Sequence, residues 1–78
     1  MIAIIDLKTK IIEYFEQEYE NALRGLDRKY NKPSEIVFNA EQRMLGVANF
    51  CQSLGIEYDF IEKNYNIYKQ NLENLLTE

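Results

Sequence analysis

Residues 44–61, MLGVANFCQSLGIEYDFI, decide the fold, because one helical pattern ends within this stretch and another begins. Apolar residues three and four apart lead up to Leu54. Gly55 then suits the left-handed stop that ends many helices, and Ile56 supplies the apolar residue that folds back over the last turn. From Ile61 onward the helical spacing of apolar residues resumes. The stretch therefore predicts a tight corner between two helices.

The helix before the corner is predicted over about residues 34–54. Its apolar positions alternate three and four residues apart, as in a coiled-coil seam. They are Val37, Ala40, Met44, Val47, Cys51 and Leu54. Phe38 and Leu45 lie to one side of this seam and Phe50 to the other, so one neighbouring helix cannot cover all three. Part of this surface is expected to be either bundle packing or an intermolecular contact.

A first helix is predicted over about residues 7–30, with Asp6 as its cap and a break at Pro33. Its apolar residues cover about half of the helical circumference, more than one neighbour requires, so we expect it to contact two helices. They are Leu7, Ile11, Phe15, Ala22, Leu26 and Tyr30. Arg24, Arg28, Lys29 and Lys32 suit the negative end of the helix dipole, and a phosphate or acidic-partner site is the alternative.

A third helix is predicted over about residues 57–76. Its main apolar stripe consists of Ile61, Tyr65, Tyr68, Leu72 and Leu75, and a separate stripe consists of Phe60 and Ile67. Short connections favour antiparallel neighbours, so the sequence predicts an all-α, up-down-up three-helix bundle in a single helical domain, residues 1–78. The alternative is a helical hairpin crossed by the long first helix. We expect dimerisation to complete either arrangement.

Composition restricts the function. A chain of 78 residues has a thin core, and its net charge of −4 disfavours binding to nucleic acid or anionic membranes. No apolar run is long enough to span a membrane, and residues 1–5 are too short for the core of a signal peptide. We expect a cytoplasmic protein. The abundance of Asn, Ile, Lys and Tyr suggests a small protein from an AT-rich bacterial or phage genome.

The sequence offers little for catalysis. Glu13, Glu16 and Glu20 share a helical face but are expected to face solvent, where their carboxylates lack the pocket that acid–base or metal chemistry needs. Cys51 lies in an apolar seam, and the chain has no His to activate it or to bind zinc. We predict a protein that is not an enzyme and binds neither a cofactor nor a metal.

The corner also resembles a helix-turn-helix motif. Cys51, Gly55 and Ile61 have the spacing of its small residue, its turn glycine and its later branched residue, and LGIEYDFI is similar to the turn of many bacterial repressors. The resemblance covers about 18 residues. It implies a transcriptional regulator that reads DNA with residues 44–64.

The charges of the third helix oppose that reading. Glu57, Asp59 and Glu62 would face phosphates and base edges, where DNA readers place Arg, Lys, Asn or Gln. Nucleic acid is therefore the less favoured partner. The same carboxylates suggest a further alternative, an inhibitor that mimics nucleic acid and binds a basic groove of another protein.

The favoured prediction is a non-catalytic protein-interaction module, since the chain carries more apolar surface than one three-helix core can bury. It would act as a homodimer or bind another protein. The predicted interface consists of Phe38, Leu45, Tyr58, Phe60 and Ile67.

Overall fold

A computed structural model describes residues 4–28 and 32–77 and shows three helices packed along one another. They are α1 (Ile4–Arg28), α2 (Pro33–Ser53) and α3 (Tyr58–Asn74). None of the residues in these two ranges forms a β-strand. The predicted all-α three-helix bundle is confirmed.

The contacts between helices establish the topology. Along α1 and α2, Glu18 pairs with Arg43 and Gly25 lies against Ile36, so these helices run in opposite directions. Along α1 and α3, Lys8 reaches Phe60, and Tyr68 donates a hydrogen bond of 2.9 Å to Glu16, so these two run in the same direction. The bundle is therefore up-down-up. As predicted, α1 contacts both other helices, and it does not cross a hairpin.

The helix ends differ from the prediction in one respect. Because α1 already includes Ile4, Asp6 lies in its first turn and is not its cap. A carboxylate there still favours the helix by interacting with the positive end of the dipole. Pro33 begins α2 after an extended Lys32, as its ring requires. The predicted end of the first helix, with Lys29 and Tyr30, lies outside the described residues.

The predicted corner between α2 and α3 is confirmed. Gly55 has a φ of +100°, the left-handed conformation in which a side chain is strained. Its N–H donates to the Gln52 carbonyl at 3.1 Å, and the N–H of Ile56 donates to the Cys51 carbonyl at 3.3 Å. This pair of bonds is a Schellman motif, and Ile56 is buried against the end of α2.

Phe15 lies at the centre of the core. It is fully buried, and its ring meets the rings of Tyr65 and Tyr68 with centroids 6.3 and 5.8 Å apart. The other buried apolar residues come from all three helices and the corner. They are Ile11, Ala22, Val37, Ala40, Met44, Ala48, Cys51, Ile56, Ile61 and Leu72.

The seam predicted along α2 is correct at four positions and wrong at its end. Leu54 is 46% exposed, Val47 is only half-buried, and Ala48 is buried where no seam residue was expected. A straight helix drifts by about 20° per heptad relative to a 3.5-residue repeat. The buried stripe therefore shifts away from Val47 and Leu54, and Ala48 enters it.

Candidate functional site

An open groove runs between α2 and α3 on the side of the bundle away from α1. Its volume is about 260 Å³. Nine residues line it: Leu45, Ala48, Asn49, Gln52, Tyr58, Ile61, Glu62, Tyr65 and Asn66. We call this surface the α2–α3 groove.

The floor of the groove is apolar and its walls expose large side chains. Ala48 and Ile61 are buried beneath it, and the short side chain of Ala48 leaves space between the two helices. Leu45 on α2 is 39% exposed and Tyr58 on α3 is 56% exposed. The groove thus offers an aliphatic and an aromatic side chain from opposite walls.

The rim of the groove is polar. Asn49 and Gln52 line it from α2, and Glu62 and Asn66 line it from α3. A hydrogen bond with the Glu62 carboxylate, one helical turn along α3, raises the pKa of Tyr58, and the negative charges of Glu62 and Asp59 raise it further. The Tyr58 hydroxyl therefore stays protonated at neutral pH. Its O–H is donated to Glu62, and its oxygen can still accept a hydrogen bond.

A pair of carboxyl groups lies near the other end of the same helix pair. The Oε1 atom of Glu41 is buried and has no hydrogen-bond partner among the described residues. Burial raises the pKa of Glu41, and a hydrogen bond with the Glu73 carboxyl raises it further. That bond requires a proton on one of the two carboxyl groups. The positive charge of Lys69 acts in the opposite direction and lowers the pKa of Glu41. Glu41 and Glu73 are therefore incompletely compensated within the chain.

The predicted interface residues fall on two different faces. Leu45 and Tyr58 line the groove. Phe38 is exposed and lies seven residues before Leu45, on nearly the same side of α2. Phe60 is half-buried against the core on the α1 side of α3, where the Lys8 ammonium lies 5.0 Å from its ring centroid, and Ile67 follows seven residues later. The structure therefore places Leu45 and Tyr58 in the groove and Phe38 farther along the same side of α2, and it separates Phe60 and Ile67 from them.

Other large apolar side chains are exposed away from the groove. Phe50 is 64% exposed and points about 140° away from Leu45 around α2 at 100° per residue. Leu23 and Leu76 are also exposed, and neither lines the groove. Phe50 is thus a natural control for any effect that depends on the groove.

The sequence interpretation missed two acidic residues on buried faces. Glu18 is only 5% exposed and pairs with Arg43 across α1 and α2, and Glu41 lies between α2 and α3. Both follow the helical spacing of the core, Glu18 between Phe15 and Ala22 and Glu41 between Val37 and Met44. That spacing was the available signal.

The residues considered for catalysis and metal binding are placed as follows. Glu13, Glu16 and Glu20 are exposed, and burial raises the pKa of the free Cys51 thiol. Among the described residues, no group of three or more acidic, His or Cys side chains is arranged to hold a metal ion. None of the helices in the described part of the chain is long and apolar enough to cross a membrane.

The helix-turn-helix resemblance keeps its residue spacing at the corner, but α2 and α3 are antiparallel and do not cross at the 90–120° of that motif. Its unfavourable charge also remains. Cys51 and Ile61 are buried on either side of Gly55, whereas Glu57, Asp59 and Glu62 are all exposed near the start of α3. Glu57 forms an ion pair with Lys8 at 3.8 Å. No family model, curated protein or solved structure matches this chain.

Proposed function

We propose that this chain is a non-catalytic protein-interaction module that binds a partner protein through the α2–α3 groove. The observation that carries the proposal is the exposure of Leu45 and Tyr58 on opposite walls of a groove with an apolar floor. Apolar and aromatic side chains that converge on a concave surface are typical of the residues that contribute most to binding. Phe38 extends this surface along α2.

The two tyrosine hydroxyls of the groove are protonated near neutral pH. Burial raises the pKa of Tyr65, and the hydrogen bond with Glu62 raises that of Tyr58. A raised pKa makes a phenol a poorer general base or nucleophile near neutral pH. Both hydroxyls are better suited to hydrogen bonds at an interface, where Tyr combines apolar area with a polar group. We place this activity in the cytoplasm, because a free thiol suits a reducing compartment.

Affinity capture tests the proposal. The tagged chain and two variants, Leu45→Asp and Phe50→Asp, would be used to capture proteins from a lysate of the cells that produce it, with circular dichroism confirming that each variant is folded. We expect a captured protein that Leu45→Asp loses and Phe50→Asp retains, because only Leu45 lines the groove. Equal capture by the two variants would rule out the groove as the binding surface.

The partner is either a second copy of the chain or a different protein. Light scattering on the eluted chain over a range of concentrations distinguishes them. A dimer that Leu45→Asp dissociates would identify the second copy, and a monomer at high concentration would leave a different protein as the partner.

The DNA-reading alternative is supported by the spacing at the corner and opposed by the carboxylates of α3. It predicts that the chain retards mixed duplex DNA at low salt and that Lys63→Ala weakens the binding. The nucleic-acid mimic instead predicts that reversing the charges of Glu57 and Asp59 abolishes binding to a basic protein without unfolding the chain. Neither alternative requires Leu45, so the capture experiment separates both from the proposed function.

A further inference from the structure

The charged side chains along the α2–α3 seam are mostly acidic. Asp59 and Glu62 lie near Tyr58 at one end, and Glu41 and Glu73 lie together at the other. The positive charge near the second pair is that of Lys69, which lowers the pKa of Glu41. Even with one proton held between Glu41 and Glu73, these acidic groups outnumber the Lys69 ammonium. The surroundings of the groove therefore have a negative potential, and the whole chain carries a net charge of −4.

This distribution disfavours a second copy as the occupant. A two-fold dimer through the groove would place the same surface of each chain against the other. The carboxylates of one copy would then approach those of its partner, and like charges facing each other at an interface oppose binding. Basic groups from a different protein would be attracted by the same four residues.

The shape of the groove suits a helix. It is formed by two antiparallel helices, and a further helix lying along them would extend the bundle. From Glu41 to Gln52 the α2 wall is about 16 Å long at 1.5 Å per residue, which corresponds to about three helical turns. Apolar residues three and four apart on such a helix would contact Leu45, Ala48 and Tyr58.

The ends of this helix would meet acidic side chains. At one end Glu41 and Glu73 lie together, and both are partly exposed. A guanidinium has five N–H donors in a planar fork and can satisfy two neighbouring carboxyl groups. At the other end, Glu62 lines the groove directly.

We infer that the occupant of the α2–α3 groove is an amphipathic helix of another protein, with Lys or Arg residues flanking its apolar stripe. The inference rests on the proposed function and specifies the chemistry of its partner. It predicts that binding weakens as salt rises, because the attraction between the carboxylates and the basic flank is screened.

Selection from a peptide library tests this without knowledge of the partner. Displayed helical peptides of about 18 residues, or five turns, with randomised polar positions would be selected against the full 78-residue chain. We expect the selected peptides to be enriched in Lys and Arg beside an apolar stripe. Their affinities for the wild-type chain, Leu45→Ser and the double variant Asp59→Asn with Glu62→Gln would then be measured by fluorescence anisotropy.

The inference predicts that Leu45→Ser abolishes binding and that the double variant weakens it about tenfold, with a smaller salt dependence. Selected peptides that are neutral or acidic, or that bind the double variant unchanged, would overturn the inference while the proposed function stands. An empty selection, or binding that Leu45→Ser does not affect, would overturn both. A dimer formed through the groove would overturn the inference alone.

Discussion

The two interfaces that α2 makes with its neighbours differ in the partners that they give to an acidic side chain. Toward α1, Glu18 is buried and pairs with Arg43 of the same chain. Toward α3, Glu41 is partly exposed, but its Oε1 atom is buried and has no hydrogen-bond partner among the described residues, next to a second carboxyl group. A buried acceptor without a donor costs free energy, so in the described part of the chain the second interface contains one oxygen atom whose hydrogen-bonding capacity is not satisfied.

Packing distinguishes the same two interfaces. A Cβ atom on Gly25 would lie 3.5 Å from Ile36, so α1 and α2 are in close contact there. Between α2 and α3 lies the groove, with Leu45 and Tyr58 exposed on its walls. We therefore propose that the α1–α2 interface contributes mainly to stability and that the α2–α3 interface exposes surface for a partner.

The largest effect is expected at the α1–α2 interface. Arg43→Met removes the partner of the Glu18 carboxylate, which is almost fully buried. We expect this variant to lower the free energy of unfolding by about 2 kcal/mol. The effect is smaller than for a fully buried pair because Arg43 is half-exposed. Urea denaturation measures the change. Arg24→Met is the control, because Arg24 is exposed and its hydrogen bond is to Asn21, which is also exposed. Equal midpoints for the two variants would contradict the importance of the pair.

A smaller effect is expected at the corner that sets α3 against α2. Gly55→Ala should lower the free energy of unfolding by about 1 kcal/mol, because a Cβ atom is strained at a φ of +100°. Gly46→Ala is the matched control, since Gly46 lies within α2 with open space around it. That variant should raise stability by about 0.5–1 kcal/mol through helix propensity. Thermal unfolding would test the opposite signs, and two shifts of the same sign would contradict them.

Glu41→Gln should have an effect below about 1 kcal/mol, because the side chain is partly exposed. The pKa of Glu41 is raised in the folded chain, so the folded state binds its proton more tightly than the unfolded state does. Its contribution to stability is therefore present at or below the ordinary value of 4.5 and is lost as the pH rises through the folded-state pKa.

The measurement is the free energy of unfolding of both chains between pH 4 and about pH 7, the range in which a raised carboxyl pKa acts. Relative to the wild type, Glu41→Gln should be at least as stable at neutral pH and should lose stability less as the pH rises. Glu20→Gln, which changes an exposed carboxylate of α1, should follow the wild-type profile. If the free energy of unfolding of Glu41→Gln changed with pH in parallel with that of the wild type, the raised pKa of Glu41 in the folded chain would be contradicted.

The smallest effect on stability is expected from the groove itself. Tyr58→Ala should change the free energy of unfolding by less than about 0.5 kcal/mol, because more than half of the side chain is already exposed. The same variant should lose the groove's partner, whereas Phe50→Ala should retain it. A Tyr58→Ala chain that unfolds readily would show that Tyr58 serves the fold rather than binding.

The sequence was sufficient for the helices and the corner, because each depends on local signals. The spacing of apolar residues defines α1, α2 and α3, and Gly55 with Ile56 ends α2 as predicted. The pairing of Glu18 and the lack of a partner for Glu41 depend on which helix lies beside each, and periodicity within one helix does not encode this.

The same limit explains the separation of the predicted interface residues. Phe60 and Ile67 form a stripe on α3, but whether that stripe faces α1 or the groove depends on the side on which α1 packs. Two arrangements of three helices with opposite handedness satisfy the same apolar pattern. The sequence therefore predicted one interface from five side chains that the structure places on two faces.

The difference between the two interfaces is tested most directly by photo-cross-linking from defined positions. A benzophenone amino acid would replace Leu45 or Tyr58 in the groove, or Leu23 or Phe50 outside it, and each chain would be irradiated in the cells that produce it. We predict one protein adduct of constant mass from positions 45 and 58 and none of that mass from positions 23 and 50. Adducts of the same mass from all four positions, or from 23 and 50 alone, would contradict a partner bound in the α2–α3 groove.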